Sequence, residues 1–312
     1  MTKIATREAY GKTLAELGDR IKDIVVLDAD LSTSTKTAIF GNKYPERFFN
    51  MGIAEQDLMG TAAGLATCGK IPFASTFAIF ATGRAFEQIR NSICYPGLNV
   101  KIAATHAGIT VGADGATHQS VEDIALMRSL PNMTVINPAD AEETKKAVTA
   151  AALHNGPVYI RLGRHPVDTI FGDEYDFSMG KGVVLKKGKD VALIATGVMV
   201  GQALEAAVNL KTQGIDAMVI NIHTIKPIDK EIIIKAAANC RAIVTAEEHS
   251  IIGGLGSAVA EVIAEAQPVV MKRIGIEDKF GESGKPEELM KYFGLTAQHI
   301  SEAAIKLLEK IV

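Results

Sequence analysis

The stretch Val100-Lys-Ile-Ala-Ala-Thr105-His106-Ala-Gly-Ile-Thr-Val-Gly112-Ala-Asp114-Gly-Ala-Thr-His118-Gln119 runs from an apolar segment straight into a glycine-rich polar loop. Val100–Ala104 reads as a buried strand. The loop after it has neither helical nor alternating periodicity, yet it gathers two histidines and an aspartate. A buried strand ending in such a loop is the unit of an open α/β sheet, where ligands sit outside the carboxyl ends of strands. Working outward, similar short runs occur at Ile24–Leu27, Ile71–Ser75, Thr134–Ile136 and Val158–Arg161. Amphipathic segments separate them: Arg7–Ile21, Glu55–Ala66, Phe80–Ile93, Val121–Met127 and Ala139–Leu153. The alternation predicts βα units and a mostly parallel sheet covered by helices on both faces, a doubly wound α/β fold. Pro138-Ala-Asp140 is a helix start, with Glu142 and Glu143 complementing the dipole.

From His165 to Asp190 the pattern breaks around Pro166, Gly172, Gly180, Gly182 and Gly188, which reads as a linker. Alternation then resumes through Val191–Ala195, Val200–Leu210, Ala217–Ile220, Asp229–Ala237, Ala242–Thr245, Leu255–Ala264 and Val269–Ile274, closing on a helix at about Ala297–Ile311. Two α/β domains are expected, 1–180 and 181–312, each with enough apolar periodicity to fold by itself.

Composition narrows the function. Hydrophobic residues are 47% and charged residues 22% of the 312, with a formal net charge of -3 and no basic run, so a nucleic-acid footprint is missing. No apolar stretch approaches the ~20 residues of a membrane span. Met1 leads into a polar, helix-like segment, Thr2 to Arg20, without the apolar core of a signal peptide. A cytoplasmic location is expected. Cys68, Cys94 and Cys240 lack metal-ligand spacing and read as buried small hydrophobes in a reducing compartment.

Three segments place polar or aromatic groups at strand ends. Met51-Gly-Ile-Ala-Glu55-Gln-Asp-Leu-Met-Gly60 opens an apolar helix on a glutamate whose neighbourhood is uncharged apart from Asp57. A carboxylate that merely complements the helix dipole would read the same way. His106 and His118 in the glycine-rich loop suit acid–base work or substrate contact, although Asp, Gly and His also build and cap turns. No third ligand stands at a metal spacing. Ser75-Thr-Phe77-Ala-Ile-Phe80 puts two aromatics three apart at a strand exit, as a wall for a flat ring or as core. In the second half, Glu247-Glu-His-Ser-Ile-Ile-Gly253-Gly-Leu-Gly256 lacks the third glycine of a dinucleotide fingerprint and reads as a tight turn.

Taken in order, Gly-Ile-Ala-Glu55-Gln, Ser-Thr-Phe77 and Thr-His106…Gly-Ala-Asp114-Gly-Ala-Thr-His118-Gln resemble the transketolase family. The resemblance spans the whole chain but only the second half of a usual transketolase, its pyrimidine-binding and C-terminal domains. The Gly-Asp-Gly…Asn motif that holds the diphosphate through Mg²⁺ (or Ca²⁺) in the first half is missing, and Met1 falls where the second half begins. The chain is thus similar to one subunit of a split transketolase. That implies an N-terminal partner subunit carrying the metal, self-association into a two-plus-two assembly, and thiamine diphosphate as cofactor. It also implies two-carbon ketol transfer between sugar phosphates, as in the pentose phosphate pathway.

The resemblance implies roles as well. Glu55 would hydrogen-bond N1′ of the aminopyrimidine and, where burial disfavours its charge, share a proton with it. That favours the imino tautomer, which takes the C2 proton. Phe77 and Phe80 would pack on the pyrimidine, with Asp30 and Leu31 as further cofactor contacts. His118 would pass protons at the reacting oxygen. Asp114 would accept a hydrogen bond from a sugar hydroxyl. Arg7, Ser34, His106 and Arg164 would surround the sugar phosphate.

The chain departs from the usual transketolase at Ala54, where many carry Arg, at Gln56, where many carry His, and at Gly83, where many place a Tyr near the pyrimidine; Phe86 is the residue expected to compensate. The Ala-Glu-Gln and Gly-Ala-Asp-Gly versions are similar to deoxyxylulose-phosphate synthase, normally one long chain. A 2-oxoacid dehydrogenase β subunit shares the architecture but not the Asp114/His118 loop. A non-catalytic scaffold would need neither Glu55 nor the two histidines.

Overall fold

The computed structural model describes residues 3–311; Met1, Thr2 and Val312 lie outside the described residues, and with them the start of the polar segment read from Thr2. In chain order the strands are β1 (Lys3–Ile4), β2 (Ile24–Asp28), β3 (Phe48–Asn50), β4 (Ile71–Phe77), β5 (Lys101–Thr105), β6 (Thr134–Ile136), β7 (Val158–Arg161) and β8 (Val167–Asp168). They continue with β9 (Val183–Lys186), β10 (Val191–Ala195), β11 (Ala217–Asn221), β12 (Thr224–Lys226), β13 (Ala242–Ser250) and β14 (Val270–Ile276). One sheet has the order β12-β6-β7-β5-β4-β2-β3, the other β14-β13-β10-β11-β9, and β1 pairs with β8.

Both large sheets are parallel apart from one antiparallel edge each, β12 on β6 and β9 on β11. The expected α/β architecture is therefore present. Period-two alternation along the strands feeds two cores per sheet. Leu27, Ala74, Ile102 and Val135 face one way, while Val26, Phe73, Ala103 and Ile136 face the other. In the second sheet Leu193 and Val244 oppose Ile194 and Ile243. Burial on both faces is why these strands read as continuous apolar runs.

The structure corrects several expectations. The His165–Asp190 segment is no free linker. It contains β8 and β9, and Asp140 ties it down by accepting from Ile170 N at 2.6 Å and Phe171 N at 2.8 Å. The same Asp140 caps the helix Ala141–Leu153 by accepting from Glu143 N. Phe80–Ile93 is not one regular helix: wide π-type turns, Phe80–Arg84 and Ile89–Cys94, flank the short α piece Phe86–Gln88. Ala85 N reaches back five residues to Phe80 O at 3.3 Å, the signature of a wide turn. Cys68 is exposed; only Cys94 and Cys240 are buried, and burial pushes each of those thiols up to about 11. Among the described residues no helix is long and apolar enough to cross a membrane.

The two sheets meet through buried charge. Arg161, at the end of β7, donates to Asp123 Oδ2 at 2.8 Å and to the backbone oxygen of Glu248 on β13 at 2.9 Å. Glu248 Oε1 accepts from Thr110 N at 2.7 Å. In the expected turn, Glu247 accepts from Leu255 N and Gly256 N, so its own carboxylate takes the helix start that a dinucleotide phosphate would need.

Candidate active site

Four strand ends build the site. At the end of β2, the fully buried Asp28 accepts from Leu31 N at 2.6 Å, Thr35 Oγ1 at 2.6 Å and Thr37 Oγ1 at 2.8 Å. Burial raises its carboxyl above the ordinary value despite these donors. Its grip turns the chain sharply, with Asp30 at φ 62, and Asn50 braces Asp30 from β3 through two hydrogen bonds. Asp28 and Asn50 were not singled out from sequence, though a strand-end Asp before a Ser/Thr run is a turn signal.

β4 delivers Phe77 and, one turn later, Phe80, stacked with centroids 5.9 Å apart at 11°. β5 delivers His106, whose ring stacks on Phe77 at 3.8 Å. His118 stands edge-on to Phe80 at 5.4 Å and to Phe77 at 6.3 Å. The loop carrying His118 is held by Gln119, whose Nε2 donates to the carbonyls of Ile109, Gly112 and Glu282.

His106 Nε2 lies 3.2 Å from Arg7 Nη1, and its Nδ1 lies 2.8 Å from Thr105 Oγ1. Arginine can only donate, so Nε2 accepts and Nδ1 carries the proton. Burial, then the charges of Arg7 and Arg164, pull this imidazole down to about 3, so it is neutral near pH 7. Arg7 also donates to Ser34 O at 2.8 Å, while its buried Nε has no partner. Arg164 donates to Val111 O and pairs with Asp114 at 3.2 Å, half-exposed. Arg7, Ser34, His106 and Arg164 are thus gathered, with Asp114 engaged by Arg164.

Glu55 begins the helix Glu55–Thr67 and is 2% exposed. Its surroundings are not uncharged, contrary to the sequence expectation. Arg84 Nη1 reaches Glu55 Oε2 at 2.8 Å, and the Arg84 guanidinium lies over the Phe80 ring at 4.5 Å. Local sequence distance hid this partner, which arrives from 29 residues away. Phe86 packs on the core instead of joining the Phe77–Phe80 pair. Among the described residues no group of three or more His, Cys, Asp or Glu could hold a metal ion. None of these site residues lines the cavity of about 690 Å³ found between β14 and the helix Ala297–Glu309.

A carboxylate at a helix start, a two-ring aromatic face and an arginine cluster lie together along the strand ends of a doubly wound sheet, a set whose chemistry suits a flat, polar-edged ring and an anionic group. Residues 2–168 match the family described as "Transketolase, pyrimidine binding domain", and residues 180–300 match "Transketolase, C-terminal domain". The chain belongs to the transketolase family. A solved structure described as a split-gene transketolase in an inactive β4 tetramer is 57% identical, with each chain covered to 99% and a TM-score of 0.91. A Methanocaldococcus jannaschii protein with the provisional name transketolase C-terminal section is 54% identical over 97% of this chain and 96% of its own length. The 6-deoxy-6-sulfo-D-fructose transketolase subunit of Clostridium sp. is 44% identical over 97% and 94%. Human transketolase is 38% identical over 99% of this chain, which covers 50% of the human protein.

Proposed function

We propose that this chain is the C-terminal subunit of a split transketolase. It moves a two-carbon ketol unit from a ketose phosphate to an aldose phosphate with thiamine diphosphate, in a two-plus-two assembly. Residues 1–180 form the pyrimidine-binding unit and 181–312 the C-terminal unit. An N-terminal partner subunit holds the diphosphate and its Mg²⁺ or Ca²⁺. The observation that carries the reading is the run of contacts from Glu55 through Arg84, Phe80, Phe77 and His106 to Arg7. The residues fit the group: a buried carboxylate suits the ring nitrogen, a stacked aromatic pair suits the ring, and the unpartnered Arg7 Nε suits an anionic oxygen.

When bound, thiamine diphosphate supplies the nucleophilic carbon and the electron sink. The chain's residues do the rest. Glu55 holds the proton at the pyrimidine N1′, and Phe77 and Phe80 fix the ring, with Asp30 and Leu31 as the turn beside it. His118 moves a proton at the substrate oxygen, and Asp114 accepts from a substrate hydroxyl. Arg7 and Arg164 bind the anionic end, a phosphate or, as the name of the Clostridium relative suggests, a sulfonate, with Ser34 beside them. Both nitrogens of His106 are engaged, so it serves this cluster by orienting Arg7.

The test is Glu55→Gln in the assembled enzyme. The amide can hydrogen-bond N1′ but cannot share its proton, so turnover and C2–H exchange should fall by about 10²–10⁴-fold with the fold intact. An unchanged exchange rate removes Glu55 from the mechanism.

A further inference from the structure

Arg84 makes both contacts that the pyrimidine reading assigns to the cofactor ring. A planar cation donates to the Glu55 carboxylate at 2.8 Å and lies over the Phe80 ring at 4.5 Å. A protonated aminopyrimidine would present the same two features, a donor for the carboxylate and a flat face for the phenylalanine. Guanidinium supplies both, since it forks toward carboxylates and stacks on aromatic rings.

The chain geometry brings Arg84 there. Arg84 closes the wide turn Phe80–Arg84, in which Gly83 adds no side chain and its Cβ position would meet nothing within 4 Å. The turn's carbonyl end is steadied by Gln56 Nε2, which reaches Arg84 O at 3.4 Å from the residue after Glu55. The contact is asymmetric. The Glu55 side chain is 1% exposed, so its charge needs a partner, whereas Arg84 is 49% exposed and can swing into water at little cost.

We propose that Arg84 caps the pyrimidine site of the chain by standing in for the ring, and that cofactor binding exchanges the guanidinium for the aminopyrimidine. Arg84 is thus a positioning residue: it keeps the Glu55 carboxylate paired and the Phe80 face covered until the ring arrives. The inference rests on the pyrimidine-site reading above. The site opens only in the fraction of molecules with Arg84 swung out, so apparent ring affinity is lowered by that fraction.

The test uses the full chain and thiamine itself, which carries the aminopyrimidine without the diphosphate, in a ligand-observed saturation-transfer NMR titration. Arg84→Met keeps the stem and removes the cap, and should bind thiamine about two- to fivefold more tightly than the wild type, the range expected for releasing one half-exposed ion pair. Arg84→Lys keeps the charge without the planar stack and should fall between them. Arg90→Met, which removes an exposed charge from the same segment, should match the wild type. Equal or weaker binding by Arg84→Met, with ring binding still visible, overturns the cap and leaves the site reading intact. Absence of a ring signal in every variant overturns the site reading, and the cap with it.

Discussion

Arg161→Met removes the centre of the buried contact between the two sheets while keeping the stem length. Arg161 is 4% exposed, and its guanidinium serves Asp123 at 2.8 Å, the Glu248 backbone oxygen at 2.9 Å and the Ser120 oxygen at 3.5 Å. Losing one member of a buried pair strands the other charge, and typical losses are about 3–5 kcal/mol. Two donors remain after the substitution. Tyr159 Oη still donates to Asp123 Oδ2 at 2.7 Å, and Thr110 N still donates to Glu248 Oε1. The lower end, about 3 kcal/mol, is therefore expected, a large share of an ordinary stability of about 5–15 kcal/mol. Urea unfolding followed by circular dichroism measures it, with Asp123→Asn/Arg161→Met completing a cycle. The double variant should lose less than the sum of the single losses, since removing both charges strands neither. A loss below about 1 kcal/mol, or strict additivity, would refute the view that these charges depend on one another.

Arg7→Ala and Arg164→Ala should raise KM for phosphorylated sugars far more than for hydroxypyruvate, by the equivalent of about 1.5–3 kcal/mol for each lost charge-assisted bond; equal losses on both substrates would place these arginines elsewhere. Burial pulls His223 down to about 4, against the opposing charge of Asp229. The unfolded chain therefore takes up that proton first as pH falls from about 6.5, and wild-type stability should drop relative to His223→Gln by about 1.4 kcal/mol per pH unit down to pH 4, while a pH-independent difference would contradict the burial account. A thiol reagent at neutral pH should modify Cys68 at once in the isolated native chain, and Cys94 and Cys240 only on denaturation. Rapid modification of all three would mean that the two buried thiols open readily.

Much of this was written in the sequence. Strands β2, β4, β5, β6 and β7 lie within two residues of their expected bounds because they are buried on both faces and mostly apolar. β9 was missed: Val183–Lys186 is a half-buried edge strand embedded among glycines, and the punctuation outweighed the short run. The helices Ser32–Thr35 and Ala38–Lys43 were missed because they owe their form to Asp28, not to periodicity. Most candidate site residues stood at strand ends and could be found there, but Arg84 could not. Its partner lies on another element, and only the wide turn at Gly83 brings the two together.

The strand Thr224–Lys226 belongs by sequence to the second unit, yet it hydrogen-bonds along β6 at the rim of the first sheet. A protein cut near residue 180 would lose that rim strand from the first sheet. β6 would then present bare amide and carbonyl groups from Thr134–Ile136, three residues that are all buried in the whole chain. Such an edge invites pairing with a second molecule. Expressed alone, the first half should therefore be prone to edge-to-edge association, and any engineered version would need a substitute strand or a charge on β6 to stay monomeric.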